Sequence, residues 1–150
     1  MATIESTVTI ARPVEEVFRF LLAPEENAPK FDPGIESVVK TSEGPTGTGT
    51  KFLFREKALG RRRETPGRFT AVEPNRKIEF EARAWPVRPA GAFRFEQTDG
   101  GTRLTFRGEP NPVGPFTLLS PLIARWGQRV WDERLARLKA VLENSAQTPR

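Results

Sequence analysis

The chain contains no His, no Cys and no Tyr. The usual general base near neutral pH, the thiol nucleophile and the phenolic acid are therefore missing, and acid–base chemistry has to run on carboxylates. Glu56, Glu64 and Gln97 lie on or near strand-like positions where an inward orientation would bury a polar group, and burial would raise a glutamate pKa toward a useful range. Glu56 and Glu64 are weak catalytic candidates on that ground; a strand end or the wet face is the plainer account of each. Arg134 falls within an apolar helical stripe, where its stem either snorkels out to water or turns the guanidinium inward to take a ligand carboxylate in bidentate fashion. Metal chemistry has only scattered carboxylates to draw on, none at calcium-loop spacing, so no metal site and no cofactor is expected. The segment Gly44 to Lys51 has two glycines at phosphate-loop spacing. Thr50-Lys51 reverses the required Lys-then-Ser/Thr order, however, and a strand pattern follows it, so the segment reads as a hairpin turn.

The elements that must position these groups follow from periodicity. Thr3 to Ile10 alternates as a strand. Pro13 then opens a short amphipathic helix, with Val14, Val17, Phe18, Leu21 and Leu22 recurring until Pro24. Between Glu25 and Pro33 at most one further helical turn is expected. From Ile35 the period is two: strands are predicted over 35–41, 50–57, 61–72, 77–85, 91–98 and 102–109. Turns fall at 42–49, at Ala58-Leu59-Gly60, at Glu73-Pro74-Asn75-Arg76 and at Asp99-Gly100-Gly101. From about Pro121 a long helix places Phe116, Ile123, Gly127, Trp131, Leu135, Leu138, Val141 and Leu142 on one face and Arg125, Arg129, Asp132, Lys139 and Glu143 on the other. A half-wet antiparallel sheet must bury its apolar face, and this helix is the element long enough to cover it. The expected architecture is α+β: about six or seven antiparallel strands gripping a C-terminal helix, with one or two short helices after the first strand.

The inward positions of that sheet are Phe52, Phe54, Phe69, Phe80, Ala82, Ala84, Phe93, Phe95, Leu104 and Phe106, facing Ile123, Gly127, Trp131 and Arg134 on the helix. Large rings facing one helix either fill the core or line a ligand site. The small residues Ala82, Ala84 and Gly127 favour a hollow, with empty space expected at Gly127. Trp126, with Leu119 and Leu122, sits at the stripe's edge, where a cavity mouth, a dimer surface or a buried helix end would each place it; burial is expected.

A chain of 150 residues suits one domain, here 1–144 with 145–150 as a disordered tail. The formal charge of +5 raises nucleic acid or anionic membrane as partners. The densest basic block, Arg55, Lys57, Arg61, Arg62, Arg63 and Arg68, would gather on one hairpin, yet arginine-rich composition with abundant proline explains it without a nucleic acid. The N-terminus has no basic region followed by an apolar run, and no stretch approaches the ~18 apolar residues of a membrane span. A soluble, cytoplasmic monomer or homodimer is expected, a setting with which the absence of cysteine agrees.

In order along the chain come Val8-Thr9-Ile10 with Pro13-Val14-Glu15-Glu16-Val17-Phe18, then Phe31-Asp32-Pro33-Gly34-Ile35, Gly47-Thr48-Gly49-Thr50, Glu73-Pro74-Asn75-Arg76, Gly100-Gly101-Thr102-Arg103-Leu104, and Leu138-Lys139 with Leu142-Glu143. Together these resemble the START-like, birch-pollen-allergen-like helix-grip superfamily, in its polyketide cyclase/dehydrase (SRPBCC) branch. The resemblance implies a curved sheet wrapped around the C-terminal helix and enclosing a site for lipids, polyketides or similar hydrophobic molecules. The expected function is binding of such a molecule between sheet and helix. The alternatives are a cyclase or dehydratase using an inward carboxylate, and an interaction module using the basic hairpin 55–68.

Overall fold

The computed structural model describes residues 3–58 and 60–145; the turn at Leu59 and the tail beyond Ser145 lie outside them. Seven strands form one antiparallel sheet: β1 (Ile4–Ile10), β2 (Ile35–Lys40), β3 (Lys51–Ala58), β4 (Arg61–Glu73), β5 (Lys77–Ala82), β6 (Ala90–Thr98) and β7 (Gly101–Glu109), in the order β1-β7-β6-β5-β4-β3-β2. Directly paired residues share a face, so the register alone builds the inner surface. Val38 pairs with Phe54, Phe52 with Gly67, Phe69 with Phe80, Phe80 with Gly91, Phe93 with Phe106, and Leu104 with Val8. The strand predicted over 77–85 ends early, at Ala82, and Ala84 instead makes an isolated bridge with Val87.

Two short helices close one end of the inner surface. In α1 (Val14–Leu22) the residues Val14, Val17, Phe18 and Leu21 are buried, and Phe18 meets Phe95 edge-on at 5.3 Å. The helix α2 (Pro24–Phe31) runs for two turns rather than the single turn expected. Pro24 stands in its first turn, where a missing N–H forfeits nothing. Pro29 removes one bond further on, but burial of Ala28 and Phe31 compensates, and Asn27 Nδ2 donates to the Phe20 carbonyl at 2.9 Å.

After a 3-10 helix over Gly114–Leu119 comes α3 (Ser120–Ser145). Its apolar stripe is buried at Leu135, Leu138 and Leu142. Its polar residues are not simply solvated, as the helical wheel suggests, because β1 is a sheet edge with unpaired backbone groups. Gln128 accepts from Glu5 N at 3.2 Å and donates to Glu5 O at 2.7 Å, and Lys139 Nζ donates to Thr9 O at 2.7 Å. Just past the strand, Ala11 N donates to Glu143 Oε2 at 2.8 Å, and Ser6 Oγ donates to Asp132 at 2.6 Å from the inner face. The helix thus covers the edge and satisfies it. No helix of the described residues is long and apolar enough to cross a membrane.

Gly127 corrects the sequence reading. A β-carbon placed there would lie 2.5 Å from Ile4 Cδ1, so the glycine marks close approach of α3 to β1 and not empty space. The sheet itself holds tighter glycines. A β-carbon on Gly108 would sit 2.6 Å from Phe106 Cζ and 2.9 Å from the Ala90 carbonyl oxygen.

Two outcomes follow from this packing. Gly127→Ala should be close to neutral in urea unfolding, since the end of the Ile4 side chain can yield and alanine gains about 1 kcal/mol of helix propensity over glycine. Gly108→Ala meets backbone and should lose about 1–3 kcal/mol. The Glu143 carboxyl is held below the ordinary glutamate range by hydrogen bonding to Lys139 and then to Ala11 N–H. Its contribution is therefore present above the ordinary glutamate pKa and lost as pH falls through the lower folded value. Thermal melts of Glu143→Gln should show a shallower stability loss across that acid window than the parent chain.

Candidate ligand-binding cleft

The backbone of α3 lies against β1, α2 and the 3-10 helix, so the inner face of β3, β4 and β5 is covered chiefly by side chains. Those side chains form two aromatic groups. In the first, Gly91 and Gly108 face each other across β6 and β7 and leave a flat floor on which the Phe106 ring rests. Trp131 stacks on Phe106 with centroids 3.6 Å apart and planes 11° from parallel, and the Arg134 guanidinium carbon lies 4.8 Å above the indole. Phe80 and Phe93 flank the pair at 6.0 and 5.5 Å from Phe106. The second group is Phe52 with Phe69 at 4.9 Å and with Phe54 at 6.3 Å, the Phe54 ring lying across Gly67. Between the groups, Ala82 is paired with Gly67.

Phe52, Phe69, Phe93, Phe95, Leu104 and Phe106 are buried among their neighbours, whereas Phe54, Phe80, Ala82, Ile123 and Trp131 keep part of their surface in solvent. That second set is the half-buried part of the apolar surface between α3 and the middle of the sheet. Two grooves of about 360 and 340 Å³ lie elsewhere, on the outer face of the sheet. Lys77, Arg94, Glu96 and Arg103 are among the residues lining the first, and Thr70, Glu79, Glu81 and Arg107 among those lining the second.

Besides Ser6 with Asp132, two polar features enter the inner face. Glu56 continues the inward series of Phe52 and Phe54, and its carboxylate accepts from Thr65 Oγ1 at 3.1 Å and Arg63 Nε at 3.2 Å. Thr65 is buried, and Arg63 also donates to the Trp85 carbonyl at 3.0 Å. Glu64 does the reverse: it stands on the wet face, 58% exposed and 3.5 Å from Arg55. Strand alternation separates the two neighbours, so Glu64 is removed as an inward carboxylate. Gln97, near the end of β6, is exposed.

The second polar feature joins Arg134, read from sequence as either snorkelling or taking a ligand carboxylate, to Asp32, which sequence did not single out as a site. Arg134 pairs with Asp32 at 2.9 Å, and Asp32 also accepts from Gly34 N at 3.0 Å. The guanidinium thus already has a protein carboxylate, while its buried Nε is left without an acceptor. The sequence signal that points to Asp32 is its Asp-Pro-Gly sequence, a turn whose first residue commonly caps its own backbone. Among the described residues no group of His, Cys, Asp and Glu is arranged to hold a metal ion.

The basic hairpin of β3 and β4 is largely self-neutralised. Arg55, Arg62, Arg63 and Arg68 pair with Glu64, Glu36, Glu56 and Glu81 respectively. Trp126, expected to be buried, is 67% exposed, beside an exposed Leu122.

A family model described as polyketide cyclase / dehydrase and lipid transport matches residues 1–143. No curated protein matches the chain by sequence. Among solved structures, the fold is similar to StfQ, a di-domain ARO/CYC from the steffimycin biosynthetic pathway, with a TM-score of 0.79 at 17% identity over 98% of this chain and 52% of that one. The chain thus spans about half the length of that relative. A protein from Nitrosomonas europaea has a TM-score of 0.76 at 18% identity, covering 98% of this chain and 97% of its own. Ara h 8.0201 has a TM-score of 0.68 at 16% identity, covering 92% and 97%. These likenesses show the helix-grip fold.

Asp32 is 9% exposed, so removing it strands both the Arg134 charge and the Gly34 N–H. Asp32→Ala should lower stability by about 2–4 kcal/mol. Asp32→Asn, which keeps an acceptor for Gly34, should lose less; urea unfolding of the pair separates the two contributions.

Proposed function

The chain belongs to the polyketide cyclase / dehydrase and lipid transport family, and on that footing we propose that it binds a small hydrophobic molecule between α3 and the inner face of β3, β4 and β5. The observation carrying this reading is that Phe54, Phe80, Ala82, Ile123 and Trp131 stay half-buried beside the buried Phe52, Phe69, Phe93 and Phe106. Apolar surface left beside a closed core is stabilised when a ligand removes it from water, at about 25 cal/mol per Å². Trp131 is the mobile candidate in this scheme: it rests on Phe106 through its ring faces, and sliding off would widen the cleft without opening the sheet.

The two inward ionic groups support an uncharged or weakly polar ligand. Glu56 is already neutralised by Arg63, and Arg134 by Asp32, so neither offers an unpaired charge. The Arg134 Nε–H is the remaining buried donor, suited to a carbonyl or hydroxyl oxygen of the ligand.

A cyclase-type reaction is the second reading, favoured by one observation: Glu56 is a carboxylate on the inner face with a hydroxyl and a guanidinium attached. In that reading Glu56 would take a proton from an activated carbon of a polyketide-like substrate while Arg63 steadies its charge.

Native mass spectrometry of protein purified without organic solvent should retain a small molecule, and an apolar fluorescent probe should compete with it. Ala82→Phe fills the space between the two aromatic groups and should weaken probe binding at least tenfold, with the fold intact by circular dichroism. Unchanged binding in Ala82→Phe would move the ligand out of the cleft. Glu56→Gln separates the readings: loss of turnover on a polyketide-like substrate with probe binding retained supports catalysis by Glu56, whereas probe binding with no turnover in the parent chain supports a carrier.

A further inference from the structure

Apart from Val39 on β2, the exposed large hydrophobic residues among the described residues are not scattered. Trp85 is 70% exposed, Leu118 86%, Leu122 63% and Trp126 67%, with Leu119 also in solvent. They come from two segments that are stitched together. Val113 N donates to the Pro86 carbonyl at 2.9 Å, Arg88 N donates to the carbonyls of Pro110 and Asn111 at 3.1 Å, and Trp85 meets Phe116 edge-on at 5.2 Å. Leu122 and Trp126 are four apart on α3 and so share a helix face, and Leu118 precedes them at the end of the 3-10 helix. A single surface therefore carries two indoles and three leucines that nothing in the fold covers.

The charge around this surface has one sign. Segments 82–89 and 110–131 contain Arg83, Arg88, Arg125 and Arg129 and no Asp or Glu. All four arginines are exposed, and among the described residues none has a carboxylate partner. On the β3–β4 hairpin, by contrast, four arginines are paired with glutamates. The next acids on α3 are Asp132, which is hydrogen-bonded by Ser6 and Gln128, and then Glu133.

We propose that this surface docks on an anionic lipid bilayer, with Leu118, Leu122, Trp85 and Trp126 entering the headgroup and acyl boundary and the four arginines meeting lipid phosphates. Exposed tryptophan suits that boundary because its ring is apolar and its N–H stays with polar groups. A helix face of Leu and Trp edged by Arg is the pattern of segments that lie in the interface plane without spanning it. Self-association through the same patch would bring the like-charged arginines of two copies together with no acid in these segments to offset them. The proposal goes beyond the cleft reading and does not depend on what the cleft holds.

The test uses the full chain with vesicles of phosphatidylcholine alone and of phosphatidylcholine mixed with phosphatidylglycerol. The protein should co-sediment with the mixed vesicles and not the neutral ones, its tryptophan emission should shift to the blue, and added salt should weaken binding. The Leu122→Ser/Trp126→Ser pair, changing only exposed side chains, should weaken binding at least tenfold while circular dichroism and probe binding in the cleft stay unchanged. Arg125→Gln and Arg129→Gln should each weaken it about fivefold. Any of four results overturns the proposal: no co-sedimentation with anionic vesicles; binding that survives the Leu122/Trp126 pair; loss of binding in Lys57→Gln/Arg61→Gln on the hairpin with none in Arg125→Gln or Arg129→Gln; or a dimer in sedimentation that the Leu122/Trp126 pair dissociates, which would give the patch to a second copy.

Discussion

The structure depends on how α3 is fixed to the edge strand β1. A sheet edge presents N–H and C=O groups that must find partners, and α3 supplies them through Gln128, Lys139 and Glu143. These bonds set the height and rotation of the helix relative to the sheet. Gly127 permits the approach by leaving room for Ile4, and Ser6 with Asp132 adds a contact on the inner side. Because the helix is bound along one edge, it cannot also lie flat on the opposite side of a wide curved sheet. That side chains must span the distance over β3, β4 and β5, and fill what space there is, is a consequence of that attachment.

How much of that space is filled is decided by glycines of the sheet rather than by the helix. Gly91 and Gly108 let Phe106 lie against the backbone, which brings its ring to a height where Trp131 can stack on it in parallel. A β-carbon at either position would push Phe106 toward the helix and remove the site of the indole. Gly67 does the same for Phe54 on the other side. The rings are thus held to the walls, and the middle, at Ala82, is left to small side chains.

The strand order and the gripped helix were legible because period-two patterning and turn residues punctuate residues 35–109 with little ambiguity. Two local features were not. The length of α2 was hidden by Pro29, since propensity counts a proline against a helix while burial of Ala28 and Phe31 retains it. The role of Gly127 was hidden because a small residue in an apolar stripe reads alike whether a neighbour approaches or a void remains; only the position of Ile4 decides. Glu56 and Glu64 stand on different strands, β3 and β4, and their opposite faces follow only from the register, which pairs Glu56 with Arg63 and Glu64 with Arg55. The Asp32–Arg134 pair joins residues a hundred positions apart in two elements, a relation that no local pattern carries.

The net charge of +5 says little until it is located. On the hairpin, where sequence concentrates arginine, antiparallel register and the curve of the sheet put a glutamate within reach of Arg55, Arg62, Arg63 and Arg68, so the apparent basic block is mostly screened. Where the sequence looks sparse, four exposed arginines without an ion pair among the described residues are spread over two segments that contain no acid. Those segments also carry the exposed tryptophans, and hydrogen bonding between Val113, Arg88 and the Pro86 turn makes them one surface. A field of one sign and an apolar face act together only when they share a location. The fold, by joining the β5–β6 connection to the start of α3, gives them one.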